Sequence, residues 1–330
     1  MLRLGVAGVG SMGQAHLRNY LKLSSMVQVA ALADLQEDRR QAGKLARSEV
    51  NIVSGEAVEL GPVRSYCHFR ELCADKDLDV IVVTLPSDLH AEATVLALEN
   101  GKHVLCEKPM ALKVDDCRRM LAARDASGRQ LMIGHVLRFW PAYVQAKKII
   151  DSGRFGRVLA ATMNRYGTRP GAGWFTDAAR SGGVLMDLHV HDIDAALWLL
   201  GRPDEVFAGG RCVDGLPAFV QSRWEYRQGP TLQMESYWDA ATPFRAGFKI
   251  LMERAALLWD MIGDNDLCLH TPGGGCEVLT GGHFTESLLA EDEYFLRCVA
   301  EHAPLDRCRP EDSMKAVEVA AQTAGGIRPC

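Results

Sequence analysis

The fold of the first part of the chain is decided by one stretch near its N-terminus, Leu2-Arg3-Leu4-Gly5-Val6-Ala7-Gly8-Val9-Gly10-Ser11-Met12-Gly13. The apolar residues of this stretch predict a buried strand over 2–8. Three glycines in a G-x-G-x-x-G pattern follow, and a helix is predicted at 14–23. A strand, a glycine turn and a helix in this order predict the opening unit of a parallel α/β sheet.

The alternation of strands and helices continues to about residue 140. Further strands are predicted at 27–33, 79–84, 103–106 and 131–134, and further helices at 37–47, 69–74, 89–100 and 114–126. Connections of this kind specify a doubly wound parallel sheet with right-handed crossovers. We therefore predict an N-terminal domain with this sheet over residues 1–125.

Beyond about residue 140 the pattern of the sequence changes. Strands are predicted at 158–166, 205–213, 218–226, 231–240 and 244–255, and helices at 142–152, 286–301 and 310–325. Many of these strands alternate apolar and polar residues, which indicates an antiparallel sheet with one covered face. Residues 126–330 are therefore predicted to form a second α/β domain, from which the helix at 310–325 could pack back on the first.

The glycine pattern predicts a phosphate-binding loop. Gly8 allows the tight turn, Gly10 lets a pyrophosphate approach the backbone, and Gly13 lets helix and strand pack closely. The N–H groups at the start of the helix, at Ser11 and Met12, then face the phosphates. The first domain is thus predicted to be a dinucleotide-binding Rossmann domain.

An acidic residue supports this prediction and bears on the choice of dinucleotide. Asp34 ends the second predicted strand and lies 21 positions after Gly13, where the fingerprint has its carboxylate. A carboxylate there accepts hydrogen bonds from the ribose hydroxyls and repels a 2′-phosphate, which favours NAD over NADP. Arg39 and Arg40 follow at the start of a predicted surface helix, where they could reach such a phosphate or lie in solvent.

Two further segments follow the ends of predicted strands, where ligands bind in such sheets. The first runs from Thr84 through Pro86 to His90, with Ser87 as the predicted N-cap of the next helix. His90 is equally well explained as a structural residue or as one on the cofactor side. The second segment is Glu107-Lys108-Pro109, in which the proline favours an extended lysine that projects from the strand end, although such a sequence is also an ordinary turn.

A third segment, residues 181–200, is predicted to be a helix that ends at Gly201. Asp187 and His191 are four residues apart and share one helix face, whereas His189 points elsewhere. On a strand, the two histidines would share a face and could bind a metal ion, but the length and the bordering glycines favour a helix. The Asp–His pair suits an imidazole that accepts a proton near neutral pH, or else a structural pair.

Taken together, these segments resemble the Gfo/Idh/MocA family of nicotinamide-dependent oxidoreductases, and within it the inositol and sugar dehydrogenase-type members. The resemblance rests on the glycine loop, on Pro86 with His90, on Glu107-Lys108-Pro109 and on the helix with Asp187 and His191. It extends over essentially the whole chain, since residues 134–143 resemble the family's segment that crosses into the second domain.

The resemblance implies a Rossmann domain followed by an α/β domain with a large open, mainly antiparallel sheet that often forms oligomer contacts. It implies that Lys108 hydrogen-bonds the reacting oxygen, that His191 is the general acid/base, and that Asp187 is its partner and a substrate contact. The family's asparagine after Pro86 is Ser87 here. The remaining implied contacts are Thr84, Pro86, His90 and Glu107 for the cofactor, and Arg138, Trp140 and Trp174 for the substrate, although core packing explains either tryptophan equally well.

Composition excludes several other classes of protein. The chain has 330 residues, a mass of 36.2 kDa and a net charge of −5, which is unsuited to binding nucleic acid. No apolar run approaches the ~20 residues of a membrane helix, and no signal peptide is recognised at the N-terminus. Ten scattered cysteines, with no CxxC pair and no Cys/His cluster at zinc spacing, predict reduced thiols in a cytoplasmic protein without a metal site.

The leading hypothesis is an NAD-dependent dehydrogenase that oxidises a secondary alcohol of a sugar, inositol or related polyol, in a homo-oligomer such as a dimer or tetramer. It requires Lys108 and His191, more than eighty residues apart in sequence, to act beside one nicotinamide ring. Two alternatives stay open. One is a relative that uses bound NAD transiently for glycoside cleavage, and the other is a dinucleotide-sensing regulator without enzymatic activity.

Overall fold

The chain divides into two compact units, each with its own sheet. The structure is a computed structural model that describes residues 1–40, 44–45, 48–50, 53–55, 58–239, 243–261 and 265–328. One unit consists of Met1–Val136 with Phe284–Met314, and the other of Leu137–His283 with Lys315–Cys330. The helix predicted at 310–325 is present, and the border at Met314 runs through it.

The helices and strands of the described residues have the following bounds. The strands are β1 (Leu2–Ala7), β2 (Val27–Ala33), β3 (Lys44–Leu45), β4 (Ser48–Val50), β5 (Val53–Gly55), β6 (Val58–Glu59), β7 (Arg64–Tyr66), β8 (Val80–Val83), β9 (His103–Glu107), β10 (Leu131–Gly134), β11 (Val158–Thr168), β12 (Glu205–Val213), β13 (Leu216–Glu225), β14 (Thr231–Asp239), β15 (Arg245–Met252), β16 (Ala255–Asp260), β17 (Leu267–Thr271), β18 (Gly275–Leu279) and β19 (Ile327–Arg328). The helices are α1 (Ser11–Lys22), α2 (Glu37–Arg40), α3 (Phe69–Ala74), α4 (His90–Glu99), α5 (Val114–Ser127), α6 (Pro141–Asp151), α7 (Ala178–Ser181), α8 (Val190–Leu200), α9 (Phe284–Ala300) and α10 (Pro310–Ala324). Short 3₁₀ turns lie at Ser87–Leu89, Val136–Arg138 and Trp174–Thr176, and a π-helical turn lies at Leu185–His189.

The sheet of the first unit confirms the predicted doubly wound parallel fold. Its strand order is β10-β9-β8-β1-β2-β7, and every pair is parallel. All four residues of the central strand β8 are buried, as expected for a parallel sheet that is covered on both faces. The loops that follow β1, β2, β8 and β9 therefore leave the same edge of the sheet, where the candidate cofactor residues lie.

The sheet of the second unit has nine strands in the order β18-β17-β16-β15-β11-β14-β13-β12-β19 and is mainly antiparallel, as predicted. Helix α6 packs on one face, where the Tyr143 ring lies edge-on against Phe248 at 5.0 Å and Trp259 at 5.4 Å between ring centroids. The other face is polar in its centre and carries the exposed side chains of Phe207 and Leu251. One face of the sheet is therefore core and the other is open.

The predicted helix over 37–47 is present at Glu37–Arg40 and wrong at Lys44–Leu45, which form a short strand. Positions 41–43 and 46–47 lie outside the described residues. The four residues of α2 bury no side chain, so packing contributes little to the stability of a helix here. Gly43 in the predicted continuation also costs about 1 kcal/mol of helix stability.

Two other departures concern strands. The single strand predicted at 244–255 is a hairpin of β15 and β16, which turn at Glu253 and Arg254 without a glycine or proline to mark the turn. The three-residue edge strand β7 and the hairpin of β17 and β18 were not predicted. Among the described residues, no helix combines the length and the hydropathy that a membrane span requires.

Candidate active site

The three glycines of the loop between β1 and α1 have two different structural roles. Gly8 has a φ of +95°, and a Cβ there would lie 2.6 Å from the carbonyl oxygen of Thr84. A Cβ at Gly13 would lie 2.0 Å from the carbonyl oxygen of Gly8, so both positions exclude a side chain. A Cβ at Gly10 would meet nothing closer than the Arg39 guanidinium at 4.0 Å. The space beside Gly10 therefore fits the approach of a pyrophosphate to the backbone.

Helix α1 begins directly after this space. Gly10 is its N-cap residue, and the N–H of Gln14 donates to the Gly10 carbonyl oxygen over 2.9 Å. The N–H groups of Ser11, Met12 and Gly13 precede this first intrahelical bond, which is the arrangement that binds phosphate at a helix N-terminus. The residues of this loop therefore fit a dinucleotide.

Asp34 lies at the end of β2, beside the glycine loop. Its Oδ2 accepts a hydrogen bond from the N–H of Val9 at 2.8 Å, and its Oδ1 accepts one from the N–H of Gln36 at 2.9 Å. The guanidinium of Arg40 donates to the carbonyl oxygens of Asp34 and Leu35 at 3.2 and 3.1 Å. Two backbone bonds thus hold the carboxylate in place, and each oxygen keeps a second lone pair that could accept from a ribose hydroxyl.

The segment after β8 supports the glycine loop from the other side. The hydroxyl of Thr84 donates to the carbonyl oxygen of Gly8 at 2.5 Å. The buried ring of His90 lies with Nδ1 2.8 Å from the carbonyl oxygen of Pro109 and Nε2 2.9 Å from that of Leu85, and burial lowers its pKa. His90 thus joins two loops at the sheet edge, and contacts of Thr84, Pro86 and His90 with the cofactor stay predictions.

Ser87 does not cap a helix as predicted. It is buried as the first residue of the 3₁₀ turn Ser87–Leu89, and neither that turn nor α4 has a side-chain cap. The prediction was wrong because it assumed that a loop leads directly into the α-helix at Ser87. Instead, a 3₁₀ turn begins at Ser87 and continues into α4 at His90.

A buried network anchors Glu107, the last residue of β9. Its Oε1 lies 3.0 Å from Nε2 of His16 on α1, and its Oε2 accepts from the N–H of Lys108 at 3.0 Å. The Nδ1 of His16 lies 2.8 Å from Oδ1 of Asp292 on α9. Asp292 also accepts from the Tyr20 hydroxyl at 2.7 Å and, through Oδ2, from the amide of Asn19 at 2.8 Å. Glu107 therefore positions the lysine backbone and is itself held by α1.

The charges of this network favour an ionised state. Burial alone would lower the pKa of His16, but Asp292 and Glu107 outweigh it and raise that pKa well above 6.5. Burial would raise the pKa of Glu107, but His16 outweighs it and lowers that pKa below 4.5. His16 is thus a buried imidazolium between two carboxylates. Sequence reasoning missed this role, because its partners are distant along the chain.

In the second unit, Asp187 and His191 lie on either side of a change in helix type. Asp187 belongs to the π-helical turn Leu185–His189, and His191 belongs to the first turn of α8. The predicted regular α-helix is therefore wrong at this point, and the angle expected for residues four apart does not apply across it. Single π turns are rare and are frequent at functional sites. The pairing of Asp187 with His191 stays a prediction.

His189 has a structural role, as its predicted direction indicated. Its Nδ1 and Nε2 lie 3.0 and 2.9 Å from the hydroxyl oxygens of Ser236 and Ser222 on the sheet. Burial, with the charge of Arg165, lowers the pKa of His189 to about 3, so the ring is neutral. The two serines thus use both ring nitrogens, which leaves none for a metal ion shared with His191.

The predicted substrate contacts differ in their surroundings. The buried guanidinium of Arg138 is bound by Asp194 through two hydrogen bonds of 3.0 and 2.8 Å. The buried indole of Trp140 packs edge-on against Trp259, with 5.7 Å between ring centroids. Both side chains therefore have structural partners. Trp174 is half-buried at the start of a 3₁₀ turn, and its contact with a substrate stays a prediction.

A parallel sheet with an open space at its glycine loop defines a dinucleotide-binding α/β protein. Comparison with known proteins identifies the family. The oxidoreductase family with an NAD-binding Rossmann fold, GFO_IDH_MocA, matches residues 2–135, and the GFO/IDH/MocA C-terminal domain matches residues 143–258. The chain belongs to the Gfo/Idh/MocA family, and its first unit is an NAD-binding Rossmann domain.

Individual relatives agree with this assignment. Inositol 2-dehydrogenase of Salmonella paratyphi B is 32% identical over 202 residues, which are 61% of this chain and 55% of that protein. Inositol 2-dehydrogenase 2 of Saccharopolyspora erythraea is 35% identical over 203 residues, which are 61% and 54% of the two chains. The chain thus spans about half the length of these relatives. A solved levoglucosan dehydrogenase in complex with NADH and levoglucosan has a similar fold, with a TM-score of 0.86, 20% identity and coverage of 98% and 96%.

Alanine substitutions at two glycines should separate folding from cofactor binding. Gly13→Ala places a methyl group against the Gly8 carbonyl and should lower the free energy of unfolding by about 1–3 kcal/mol. Gly10→Ala should leave that free energy unchanged but weaken NADH binding by roughly tenfold or more, since a methyl group enters the phosphate space. Urea unfolding and NADH fluorescence titration measure the two effects. Equal losses of stability in both variants would contradict the assignment.

The His16 network predicts a pH-dependent stability. His16→Ala leaves two buried carboxylates without their cation and should lower the free energy of unfolding by about 3–5 kcal/mol. Because the folded pKa of His16 is raised, its contribution is full below pH 6.5 and is lost as the pH rises through the folded value. Because the folded pKa of Glu107 is lowered, its contribution is full above pH 4.5 and is lost as the pH falls through the folded value.

The difference between wild type and His16→Ala should therefore be largest between pH 4.5 and 6.5 and should shrink on either side. Urea titrations across this range measure it. His302→Asn, at an exposed position with positive φ, is the matched control and should show no such profile. A difference that does not vary with pH would mean that His16 is neutral in the folded protein.

Proposed function

We propose that the protein is an NAD-dependent dehydrogenase that oxidises a secondary alcohol of a sugar, inositol or related polyol to a ketone or lactone. The observation that carries the proposal is the loop space at Gly10 next to the anchored carboxylate of Asp34, in a chain of this oxidoreductase family. The substrate class is supported by relatives named inositol 2-dehydrogenase and by a similar fold named levoglucosan dehydrogenase.

The chemical roles follow from residue type and position. We assign the hydrogen bond to the reacting oxygen to the ammonium of Lys108, which stabilises the charge that develops there. His191 accepts the hydroxyl proton, and Asp187 orients its imidazole. When bound, the nicotinamide ring accepts the hydride from the carbinol carbon. Support for Lys108 comes from Glu107, which accepts a hydrogen bond from the lysine N–H and is held by His16.

The choice of NAD over NADP rests on Asp34. Its carboxylate is held against the glycine loop, and a 2′-phosphate near it would be repelled. Neither nearby arginine is assigned to a 2′-phosphate. The Arg39 guanidinium lies close to Gly10, beside the space for the pyrophosphate, and the Arg40 guanidinium donates to the backbone at the end of β2. We therefore assign NAD as the physiological cofactor.

The surroundings of the protein are also part of the proposal. The open face of the second sheet carries exposed Phe207 and Leu251 among polar residues, which supports a homo-oligomer, a dimer or tetramer, formed through this face. The scattered spacing of the ten cysteines in the sequence, with no CxxC pair, supports a cytoplasmic location. The net charge of −5 gives no support to nucleic acid as a partner.

The function is tested with a panel of polyols and sugars that includes myo-inositol, D-chiro-inositol and levoglucosan, each supplied with NAD. We expect NADH to form with at least one of them. Lys108→Ala and His191→Ala should lower kcat by about 10²–10⁴-fold while NADH still binds, because each removes a group used in the reaction. Exposed Lys148→Ala and His302→Asn are the matched controls.

Three outcomes contradict parts of this account. Native rates in both catalytic variants would exclude the assigned roles. Cleavage of a glycoside without net NADH would indicate transient use of bound NAD. Binding of NADH without turnover of any panel member would indicate a dinucleotide sensor.

Asp34→Ser should change the cofactor preference. The loss of a charged acceptor for the ribose should raise the KM for NAD by about 10–100-fold, and the loss of repulsion should make NADP usable. Steady-state kinetics with both cofactors measures the ratio of kcat/KM, and thermal unfolding controls for the lost bond to Val9. An unchanged ratio in a folded variant would contradict the role of Asp34.

A further inference from the structure

Three soft metal-ligating side chains meet on the hairpin of β17 and β18, in the second unit. They are Cys268, His270 and Cys276, and one ligand atom of each lies within 4.8 Å of the others. The Sγ of Cys276 is 3.9 Å from the Nε2 of His270. Within the described part of the chain, it is the one cluster of three or more histidine, cysteine or acidic residues whose ligand atoms lie close enough together to hold a metal ion. None of the roles proposed above uses it.

The register of the hairpin explains why the three side chains meet. His270 is paired directly with Cys276, and Cys268 lies two residues earlier on the same strand. Residues two apart on a strand project from one face, so all three side chains share a face. The intervening Leu267 and Leu269 are buried on the opposite face, which fixes the orientation of β17. The backbone therefore sets the positions of all three ligands.

The spacing of the three ligand atoms suits a tetrahedral ion. With a Zn–S distance of about 2.3 Å and a Zn–N distance of about 2.0–2.1 Å, tetrahedral angles place ligand atoms about 3.5–3.8 Å apart. The separation of 3.9 Å between Cys276 Sγ and His270 Nε2 is close to this value. The ligand atoms of the whole group lie within 4.8 Å of one another, so side-chain rotations alone would bring them to tetrahedral spacing. Two sulfurs and one imidazole are the ligands of zinc rather than of magnesium or calcium.

The position of the hairpin makes such a site useful. Strand β18 is the edge of the nine-stranded sheet, and four of its five residues are exposed. It therefore buries little apolar surface, and the turn before it contains Gly273 and Gly274, both with positive φ. An ion that binds Cys276 of β18 together with Cys268 and His270 of β17 would link the two strands across the ladder.

We propose that Cys268, His270 and Cys276 form a zinc site on this hairpin. Binding displaces one proton from each thiol to solvent, so that two thiolates and a neutral imidazole face the dication. Three protein ligands leave the fourth tetrahedral position to a water molecule or another donor. The chemistry of the site is independent of the proposed dehydrogenase activity.

The same two thiols could instead form a disulfide, and His270 distinguishes the two cases. A disulfide between Cys268 and Cys276 needs no third partner, whereas a metal site uses the imidazole that lies 3.9 Å from Cys276. The presence of this third ligand favours the metal. An experiment under reducing conditions removes the disulfide from the comparison.

The proposal is tested with the full-length protein, fully reduced, freed of metal by a chelator and titrated with cobalt(II) and then zinc(II). We expect one cobalt ion per chain, with the thiolate charge-transfer absorption and the visible bands of tetrahedral cobalt, and displacement by an equivalent of zinc. Cys276→Ser and His270→Ala should each weaken zinc binding by about 10–100-fold or more. Cys67→Ser, at an exposed cysteine that belongs to the first unit, is the matched control and should bind as wild type.

Each outcome of these experiments either supports or overturns the zinc site. A tetrahedral cobalt spectrum that is lost in the cluster variants and kept in Cys67→Ser supports the site. Circular dichroism of the metal-free variants controls for folding, and Cys268→Ser provides a second variant should one fail to fold. Absence of stoichiometric uptake, or uptake that is equal in all variants, overturns it. A Cys268–Cys276 disulfide found by mass spectrometry in oxidised protein, with no metal bound by the reduced form, also overturns it.

Discussion

The first unit depends on a buried imidazolium held between two carboxylates. His16 of α1 bridges Glu107 at the end of β9 and Asp292 of α9, with all three side chains almost entirely buried. Buried charges are stable only when they are paired, because the loss of one leaves its partners as uncompensated charges in the protein interior. The helix that begins at the glycine loop and the strand that ends before Lys108 are thereby fixed to one framework. One charged cluster thus holds both the helix that follows the glycine loop and, through Glu107, the backbone of Lys108.

Around this cluster, the needs of packing and of binding are met by different residues. Gly8 and Gly13 are required by close backbone approach and Gly10 by open space, although all three belong to one short motif. His90 and Thr84 likewise support the sheet edge from within, while Asp34 keeps acceptors beside the loop.

Much of the fold could be predicted because its signals are local. The glycine motif and the change to alternating strands each depend on neighbouring residues, and they were sufficient to predict both sheets. The family resemblance needed more, namely the glycine loop together with three further short motifs in order along the chain. The side-chain partners could not be predicted, because they join distant residues: His16 and Asp292 are 276 positions apart. The π turn before His191 carries no composition signal. The sequence showed no zinc-binding motif at Cys268, His270 and Cys276. These residues do not follow a known linear spacing and are brought together by the register of a hairpin.

In the proposed reaction, a hydride moves from a carbinol carbon of the substrate to NAD. The most direct measurement uses the best substrate of the polyol panel, deuterated at its carbinol carbons, in a single turnover with NAD in ordinary water. Mass spectrometry of the cofactor should show one deuterium on the reduced nicotinamide ring and none exchanged with solvent. Reduced cofactor without the label, or label released to water while the cofactor stays oxidised, would contradict the claim.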